Sequence, residues 1–132
     1  MNLMLFRGLA SRLLLSKRKV KEETAVISVT EPLALTNADS GKTYSLDSAT
    51  ACLYIPLRAT LTTGWTITVK TTVPEYNKYV SSVEVGDGVV SFDGEPYDGI
   101  SMDSLDAQAT ITFNGMAFEA VATAGMVTGY WD

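Results

Sequence analysis

The chain has 132 residues, of which 46% are hydrophobic, so it is long enough to bury one core but not two and too apolar to be disordered throughout. It has no histidine and a single cysteine, which excludes histidine acid–base chemistry, an intrachain disulfide and a cysteine metal site. That cysteine, Cys52, stands in an apolar run, and we predict that its thiol is buried.

The net charge is divided unevenly along the chain. Residues 1–24 hold six basic and two acidic residues, a net charge of +4, whereas the other 108 residues hold four basic and thirteen acidic residues, a net charge of −9. The composition changes at Thr24, so we divide the chain into a basic arm, residues 1–24, and a domain, residues 25–132. The acidic domain argues against nucleic acid as a partner.

The arm is predicted to be an amphipathic helix over about residues 2–19. Its main apolar positions follow the spacing of one helix face, and three of its basic residues fall elsewhere on the surface. We predict that the arm binds a partner through Phe6, Leu9, Leu13, Arg7, Arg12 and Lys17.

Three interpretations of the arm remain open: a signal peptide, a helix on a membrane surface, and a helix that docks on a protein. A signal peptide carries its charge before the apolar stretch, whereas here the basic cluster follows it. A basic amphipathic helix fits a membrane surface better, although no run of about 18 apolar residues exists to span a bilayer. We favour docking or self-association, because the spacing supports a short bundle and the charge suits an acidic surface.

The sequence after the arm has the short β-prone runs and turn-forming clusters of an all-β domain, and it contains no helix candidate. We predict an antiparallel, jelly-roll-like β-sandwich preceded by the N-terminal helix. The ten candidate strands are residues 25–30, 43–46, 50–55, 65–69, 80–85, 88–92, 100–102, 108–113, 117–121 and 126–131.

Strict alternation identifies the central strands, Trp65–Val69 and Ala109–Phe113, in which apolar residues line one face and threonines the other. We predict that both are half-buried antiparallel strands and that Trp65 belongs to the core. The residues predicted to point inward are Ile67, Val69, Ile111, Phe113 and Val121, and those predicted to point outward are Thr66, Thr68, Thr110 and Thr112.

Two glycine-containing turns are predicted to form hairpins. Asn114-Gly115 supplies the positive φ angles of a type I′ turn, which would pair residues 108–113 with 116–121. The turn Gly86-Asp87-Gly88 would pair residues 80–85 with 89–92 in the same way. Local turns of this kind favour meander and sandwich topologies.

The acidic residues between positions 87 and 106 are the one cluster whose composition would suit calcium. Their spacing is not that of an EF-hand loop, and the Asp-Gly pairs at 87–88, 93–94 and 98–99 are typical of turns in a solvated acidic loop. We therefore predict no metal and no cofactor. The residues concerned are Asp87, Asp93, Glu95, Asp98, Asp103 and Asp106.

The sequence also argues against an enzyme. Without histidine, a serine or threonine nucleophile would need a lysine or carboxylate base, and no spacing marks one out. Many carboxylates could form a glycosidase pair, but nothing selects a particular two.

Three tyrosines in predicted loops, Tyr76, Tyr79 and Tyr97, are candidates for surface recognition. Flat rings stack on sugar faces, which leaves a carbohydrate ligand open, but tyrosines also pack at protein interfaces. We favour the protein interface.

Three stretches of the domain together carry a resemblance to a known family. They are Leu35-Thr36-x-Ala38-Asp39-Ser40-Gly41-Lys42; Ser48-Ala49-Thr50-Ala51 with Ile55-Pro56; and Gly64-Trp65-x-Ile67-x-Val69. With the closing runs Ala109–Phe113 and 117–121, the chain resembles small β-sandwich modules in virion proteins of tailed bacteriophages over about residues 33–130. Such modules occur in head decoration proteins, head fibres and tail fibres.

The resemblance implies a structural virion protein, either a capsid decoration protein or a head-fibre subunit. It further implies a homotrimer located in the virion, anchored by the arm to the capsid or to another virion protein. The alternative is a tail-fibre-like receptor or carbohydrate-binding module. The loops formed by residues 74–79 and 93–106 are longer and more aromatic or acidic than those of the family pattern. We therefore expect that these loops would determine which specific partner is bound.

Overall fold

A computed structural model describes residues 25–73, 79–84 and 88–131. The predicted N-terminal helix and Tyr76 lie outside these residues. The described chain is all-β, as predicted, with two three-residue 3₁₀ turns, Asn37–Asp39 and Arg58–Thr60. Its strands are β1 (Val26–Val29), β2 (Pro32–Ala34), β3 (Thr43–Leu46), β4 (Cys52–Ile55), β5 (Thr66–Thr71), β6 (Tyr79–Ser82), β7 (Val90–Phe92), β8 (Glu95–Tyr97), β9 (Gly99–Met102), β10 (Gln108–Phe113), β11 (Phe118–Ala124) and β12 (Val127–Tyr130).

The strands form two sheets. Sheet I has the order β1-β3-β5-β10-β11-β7-β8, and sheet II has the order β12-β9-β6-β4-β2. Among the described strands, five of the ten pairings are parallel, so both sheets are mixed. The prediction of an antiparallel, jelly-roll-like sandwich is therefore wrong in its strand directions, because jelly rolls are built from antiparallel strands.

The parallel pairings arise because the first six strands alternate between the two sheets. The odd-numbered strands β1, β3 and β5 lie side by side in sheet I, and the even-numbered strands β2, β4 and β6 lie side by side in sheet II. The chain thus winds through three stacked coils, each with one strand per sheet. We call the end at which β1 begins the upper end and the opposite end the lower end.

The coils are tied together at the upper end by the connections between them. The indole Nε1 of Trp65 donates a 3.0 Å hydrogen bond to the carbonyl oxygen of Thr36. Asn37 and Thr62 exchange two further bonds: the Thr62 N–H donates to Asn37 Oδ1 at 3.0 Å, and Asn37 Nδ2 donates to Thr62 Oγ1 at 3.2 Å. These side-chain hydrogen bonds therefore tie the two upper connections, residues 35–42 and 56–65, to each other.

Asp47 ties the coils together at the lower end. Its carboxylate accepts hydrogen bonds from the hydroxyls of Ser28 (2.5 Å), Ser45 (2.6 Å) and Thr72 (2.6 Å), which belong to successive coils. These bonds hold the pKa of Asp47 below its ordinary value, because they stabilise the ionised form, and the bond from Ser28 has the largest effect.

The core lies between the sheets and follows the alternation of β5 and β10. Ile67, Val69, Ile111 and Phe113 are buried, as predicted, and so is Trp65. Val121 was predicted to point inward, but it is 59% exposed. Phe113 pairs with Phe118, so the inward residues of β11 are Phe118 and Ala120, and Val121 falls on the opposite face.

Asn114-Gly115 does join β10 to β11, but the type I′ prediction is wrong. Four residues separate the paired Phe113 and Phe118, and Gly115 has a positive φ of 99°, whereas Asn114 does not. The Asn114 side chain instead accepts hydrogen bonds from the backbone N–H groups of Met116 and Ala117, each at 2.9 Å. This local bonding of an Asn to its own loop lengthens the turn.

The hairpin predicted around residues 86–88 is also wrong, because β6 and β7 lie in different sheets. A two-residue hairpin instead joins β7 to β8, where Phe92 pairs with Glu95. Its turn residues, Asp93 (φ 53°) and Gly94 (φ 79°), both have the positive φ that a type I′ turn requires.

Candidate interaction surface

The structure describes only some of the site residues that were predicted from the sequence. The arm residues Phe6, Arg7, Leu9, Arg12, Leu13 and Lys17 and the loop residue Tyr76 lie outside the described residues. Tyr79 and Tyr97 were predicted in loops, but they lie in β6 and β8. Tyr97 packs at the β8 edge of sheet I, 6.4 Å from Phe92 and 5.8 Å from Trp131 between ring centroids, so it seals the side of the domain.

Tyr79 belongs to the outer face of sheet II, a surface that was not predicted from the sequence. Strand alternation and register place on this face side chains that are aromatic, small or hydroxylated, and none of them is charged. We call this surface the tyrosine face. It comprises Pro32, Ala34, Cys52, Tyr54, Tyr79, Ser81, Gly99, Ser101, Thr128 and Tyr130.

The ring of Tyr130 lies down along this face. Tyr130 is on β12, and its hydroxyl contacts the hydroxyl of Ser81 on β6, two strands away. The ring crosses Gly99 of the intervening β9: a Cβ on Gly99 would lie 2.7 Å from the Tyr130 hydroxyl and 2.8 Å from its Cε1. Gly99 therefore provides the space in which the ring rests against the sheet.

Two more tyrosines flank this ring. Tyr79 packs beside Tyr130, with ring centroids 4.9 Å apart and ring planes inclined at 53°. Tyr54, 37% exposed, lies beyond Ser81 in the cross-strand row Tyr54–Ser81–Gly99–Tyr130. The Cα atoms of Tyr54 and Tyr130 are three strand spacings apart, or about 14 Å.

Hydroxyl groups line the lower part of the tyrosine face. Ser101 and Thr128 are cross-strand neighbours, and both donate 2.5 Å hydrogen bonds to the carboxylate of Asp103 at the lower rim. Cys52 lies on the same face and is partly exposed. The prediction of a buried thiol is wrong, because the alternation of β4 turns Leu53 and Ile55 inward and Cys52 outward.

The outer face of sheet I differs in chemistry. Its predicted threonines point outward and are half-buried, and the hydroxyls of Thr66 and Thr112 lie 3.0 Å apart. Charged side chains interrupt this face, and Val121 adds an exposed aliphatic group. The residues of this face include Thr66, Thr68, Lys70, Thr110, Thr112, Glu119 and Val121.

The upper end carries an ion pair surrounded by apolar side chains. Arg58 donates to both carboxylate oxygens of Glu84, through its backbone N–H at 2.6 Å, Nε at 3.0 Å and an Nη at 2.8 Å. These bonds hold the pKa of Glu84 below its ordinary value. Arg58 also donates to the carbonyl oxygen of Met116 at 2.8 Å. The exposed side chains around this pair, which we call the apolar collar, are Leu57, Val83 and Met116.

The acidic residues of the predicted cluster are dispersed where the structure describes them. Asp93 lies in the β7–β8 turn, and Asp103 and Asp106 lie at the lower end. Asp98 is buried rather than solvated, because it stands between β8 and β9 where the chain crosses from one sheet to the other. Within the described ranges, no three His, Cys, Asp or Glu side chains are grouped so that they could hold a metal ion.

A cavity of about 420 Å³ lies at the lower end between β5, β10 and the loop before β10. It is lined by Lys70, Leu105, Asp106, Gln108 and Ala124, among others.

Comparisons with protein-family models, with curated proteins and with solved structures find no match to this chain. Within the part of the chain that the structure describes, no helix has the length and apolar character needed to cross a membrane.

Proposed function

We propose that the chain is a structural virion protein of a tailed phage, a capsid decoration or head-fibre subunit that is anchored by its arm. In this proposal the protein is a homotrimer, its partner is the capsid or another virion protein, and it performs no catalysis. The two sheets form a β-sandwich that projects from the particle. The family resemblance of residues 33–130 supports the virion assignment.

One observation carries the anchoring part of the proposal: the arm joins the domain at the end that also bears the apolar collar. Residue 25 precedes β1 at the upper end, and Leu57, Val83 and Met116 are 50%, 45% and 79% exposed there. Exposed apolar groups that lie close together are typical of a protein contact surface. The arm and the collar would therefore face the shell together.

In this proposal the domain completes its core without the arm. The described residues already bury one continuous apolar cluster to which both sheets contribute. The apolar row of the arm is then available to a partner, and burial of each Leu or Phe would contribute about 1.5 to 3 kcal/mol. The +4 charge of the arm would be attracted to an acidic surface, whereas the apolar row requires a fitted one.

The proposal is tested with the purified full chain and shells assembled from the major capsid protein of the same phage. We expect the chain to sediment as a trimer in velocity ultracentrifugation and to pellet with the shells at a fixed ratio to the capsid subunit. A chain that stays in the supernatant with shells but binds intact host cells would contradict the proposal and favour the receptor-binding alternative.

A further inference from the structure

We propose that the tyrosine face of sheet II is a binding platform for a neutral polysaccharide. The inference does not rest on the proposed function, because a carbohydrate platform would serve a decoration protein and a receptor-binding module equally. It rests on the way Tyr130 is held, on the absence of charge among the ten outward residues, and on the hydroxyl groups that surround the rings.

The ring of Tyr130 is fixed in the orientation that sugar stacking needs. One side of the ring rests on β9 at Gly99, and the contact between its hydroxyl and Ser81 tethers its far end. Tyr79 packs beside it and limits its rotation. A ring held in this way loses little side-chain freedom on binding, which lowers the entropic cost of association.

The composition of the face matches the two kinds of surface that a pyranose presents. The C–H groups of a sugar ring pack on aromatic faces, and Tyr54, Tyr79 and Tyr130 supply these. The hydroxyls of a sugar exchange hydrogen bonds with other hydroxyls, and Ser101 and Thr128 supply these beside the rings. The row from Tyr54 to Tyr130 spans about 14 Å, which suits several linked sugar units rather than one.

The lack of charge distinguishes a neutral glycan from other ligands. None of the ten outward residues is cationic, so the face offers no counter-charge to a nucleic acid or to an acidic polysaccharide. Protein interfaces are also enriched in tyrosine, but their centres carry other large apolar side chains and arginine as well. The ten outward residues of the tyrosine face include no Arg, Leu, Ile, Met, Phe or Trp, and the exposed Leu57, Met116 and Val121 lie at the upper end or on sheet I.

The proposal is tested by affinity electrophoresis of the full chain. The gels contain one of three neutral polymers, dextran, yeast mannan or hydroxyethyl cellulose, or alginate as the acidic comparison. We expect one or more of the neutral polymers to retard the chain and alginate not to do so. Tyr54→Ala and Tyr130→Ala should each weaken the retarding interaction about two- to twelvefold, given about 0.5 to 1.5 kcal/mol per aromatic contact. Tyr130→Phe, which keeps the ring, should stay within about threefold of the parent chain.

Two controls separate binding from folding. Val121→Ala changes an exposed side chain on the other sheet and should leave retardation unchanged. Because Tyr130→Ala uncovers Gly99, the thermal unfolding of this variant is measured in parallel. If Tyr130→Ala unfolds at a lower temperature than the parent chain, the result for Tyr54→Ala decides, since Tyr54 is exposed.

The single cysteine provides a second readout, because Cys52 is partly exposed on the same face. A bound neutral polymer should slow the reaction of Cys52 with a maleimide. Failure of every neutral polymer to bind, retardation by alginate alone, or retardation that survives both alanine substitutions would overturn the proposal. So would loss of self-association in Tyr54→Ala, since a second copy of the chain would then be the occupant of the face.

Discussion

The indole Nε1 of Trp65 donates a hydrogen bond to the backbone carbonyl oxygen of Thr36, 29 residues earlier in the chain. Trp65 is 1% exposed, and its ring packs edge-on against Phe118 at 5.9 Å between centroids. The Trp65 side chain therefore joins the upper connections of two coils and packs in the core beside sheet I. This hydrogen bond holds the two coils in register.

Trp65→Phe keeps an aromatic ring in the core but leaves the Thr36 carbonyl without its donor. We expect the free energy of unfolding to fall by about 1 to 3 kcal/mol, because one hydrogen bond is lost and the smaller ring fills the buried site less well. Urea denaturation measures this loss. Trp131→Phe is the matched control, because Trp131 is 56% exposed, and its unfolding midpoint should stay close to that of the parent.

Phe113→Ala should destabilise the domain by about 3 to 5 kcal/mol, because the ring is buried and packs against Phe118. Val121→Ala, in the adjacent strand, should change the free energy of unfolding by no more than about 0.5 kcal/mol. Chemical denaturation of the two variants checks the register of β10 and β11. A large effect at Val121 with a small one at Phe113 would show that β11 is shifted by one residue.

Stability should fall in acid partly because of Asp47. Hydrogen bonds from Ser28, Ser45 and Thr72 lower its pKa in the folded chain below the ordinary 3.8, so its contribution is present above pH 3.8 and is lost as the pH falls through the folded value. We expect Asp47→Asn to be less stable than the parent at pH 7, with the difference shrinking below pH 3.8. The urea midpoints of both chains are measured between pH 7 and pH 2.5. A difference between the parent and Asp47→Asn that stayed constant over this range would contradict the prediction.

Calcium should not stabilise the protein. We predict that thermal unfolding is unchanged by millimolar calcium or by EDTA, because the acidic residues of the described chain are dispersed over turns, a buried crossing and the lower end. Differential scanning calorimetry is the measurement. A saturable rise in the unfolding temperature that disappears in the Asp93→Asn, Asp98→Asn double variant would refute this prediction.

The sequence predicts the all-β class and the inward residues of β5 and β10, because strict alternation marks which face of a strand is buried. It does not predict the coils, since nothing local to Thr30 or Glu31 shows that the chain crosses to another sheet instead of folding back. Parallel pairings between strands 17 or more residues apart leave no local signal of the kind that Asp93-Gly94 leaves for a hairpin.

The tyrosine face could have been found in part from the sequence. The alternation of Cys52-Leu53-Tyr54-Ile55 and of Tyr79-Val80-Ser81 places tyrosines opposite the core residues of two strands. That Tyr130 lies across Gly99 could not be foreseen, because it depends on β12 pairing with β9 and on β9 pairing with β6. Tertiary pairing, rather than local pattern, assembles this surface.

The most direct test of the anchoring proposal compares three chains: the full chain, residues 25–132 alone, and the full chain carrying Leu9→Asp and Leu13→Asp. Each is mixed with shells of the same phage and pelleted, and thermal unfolding of each is recorded. We predict that all three unfold at similar temperatures and that only the full parent chain pellets with the shells. Residues 25–132 pelleting as well as the full chain would show that anchoring does not reside in the arm, and their failure to fold would show that the arm belongs to the core.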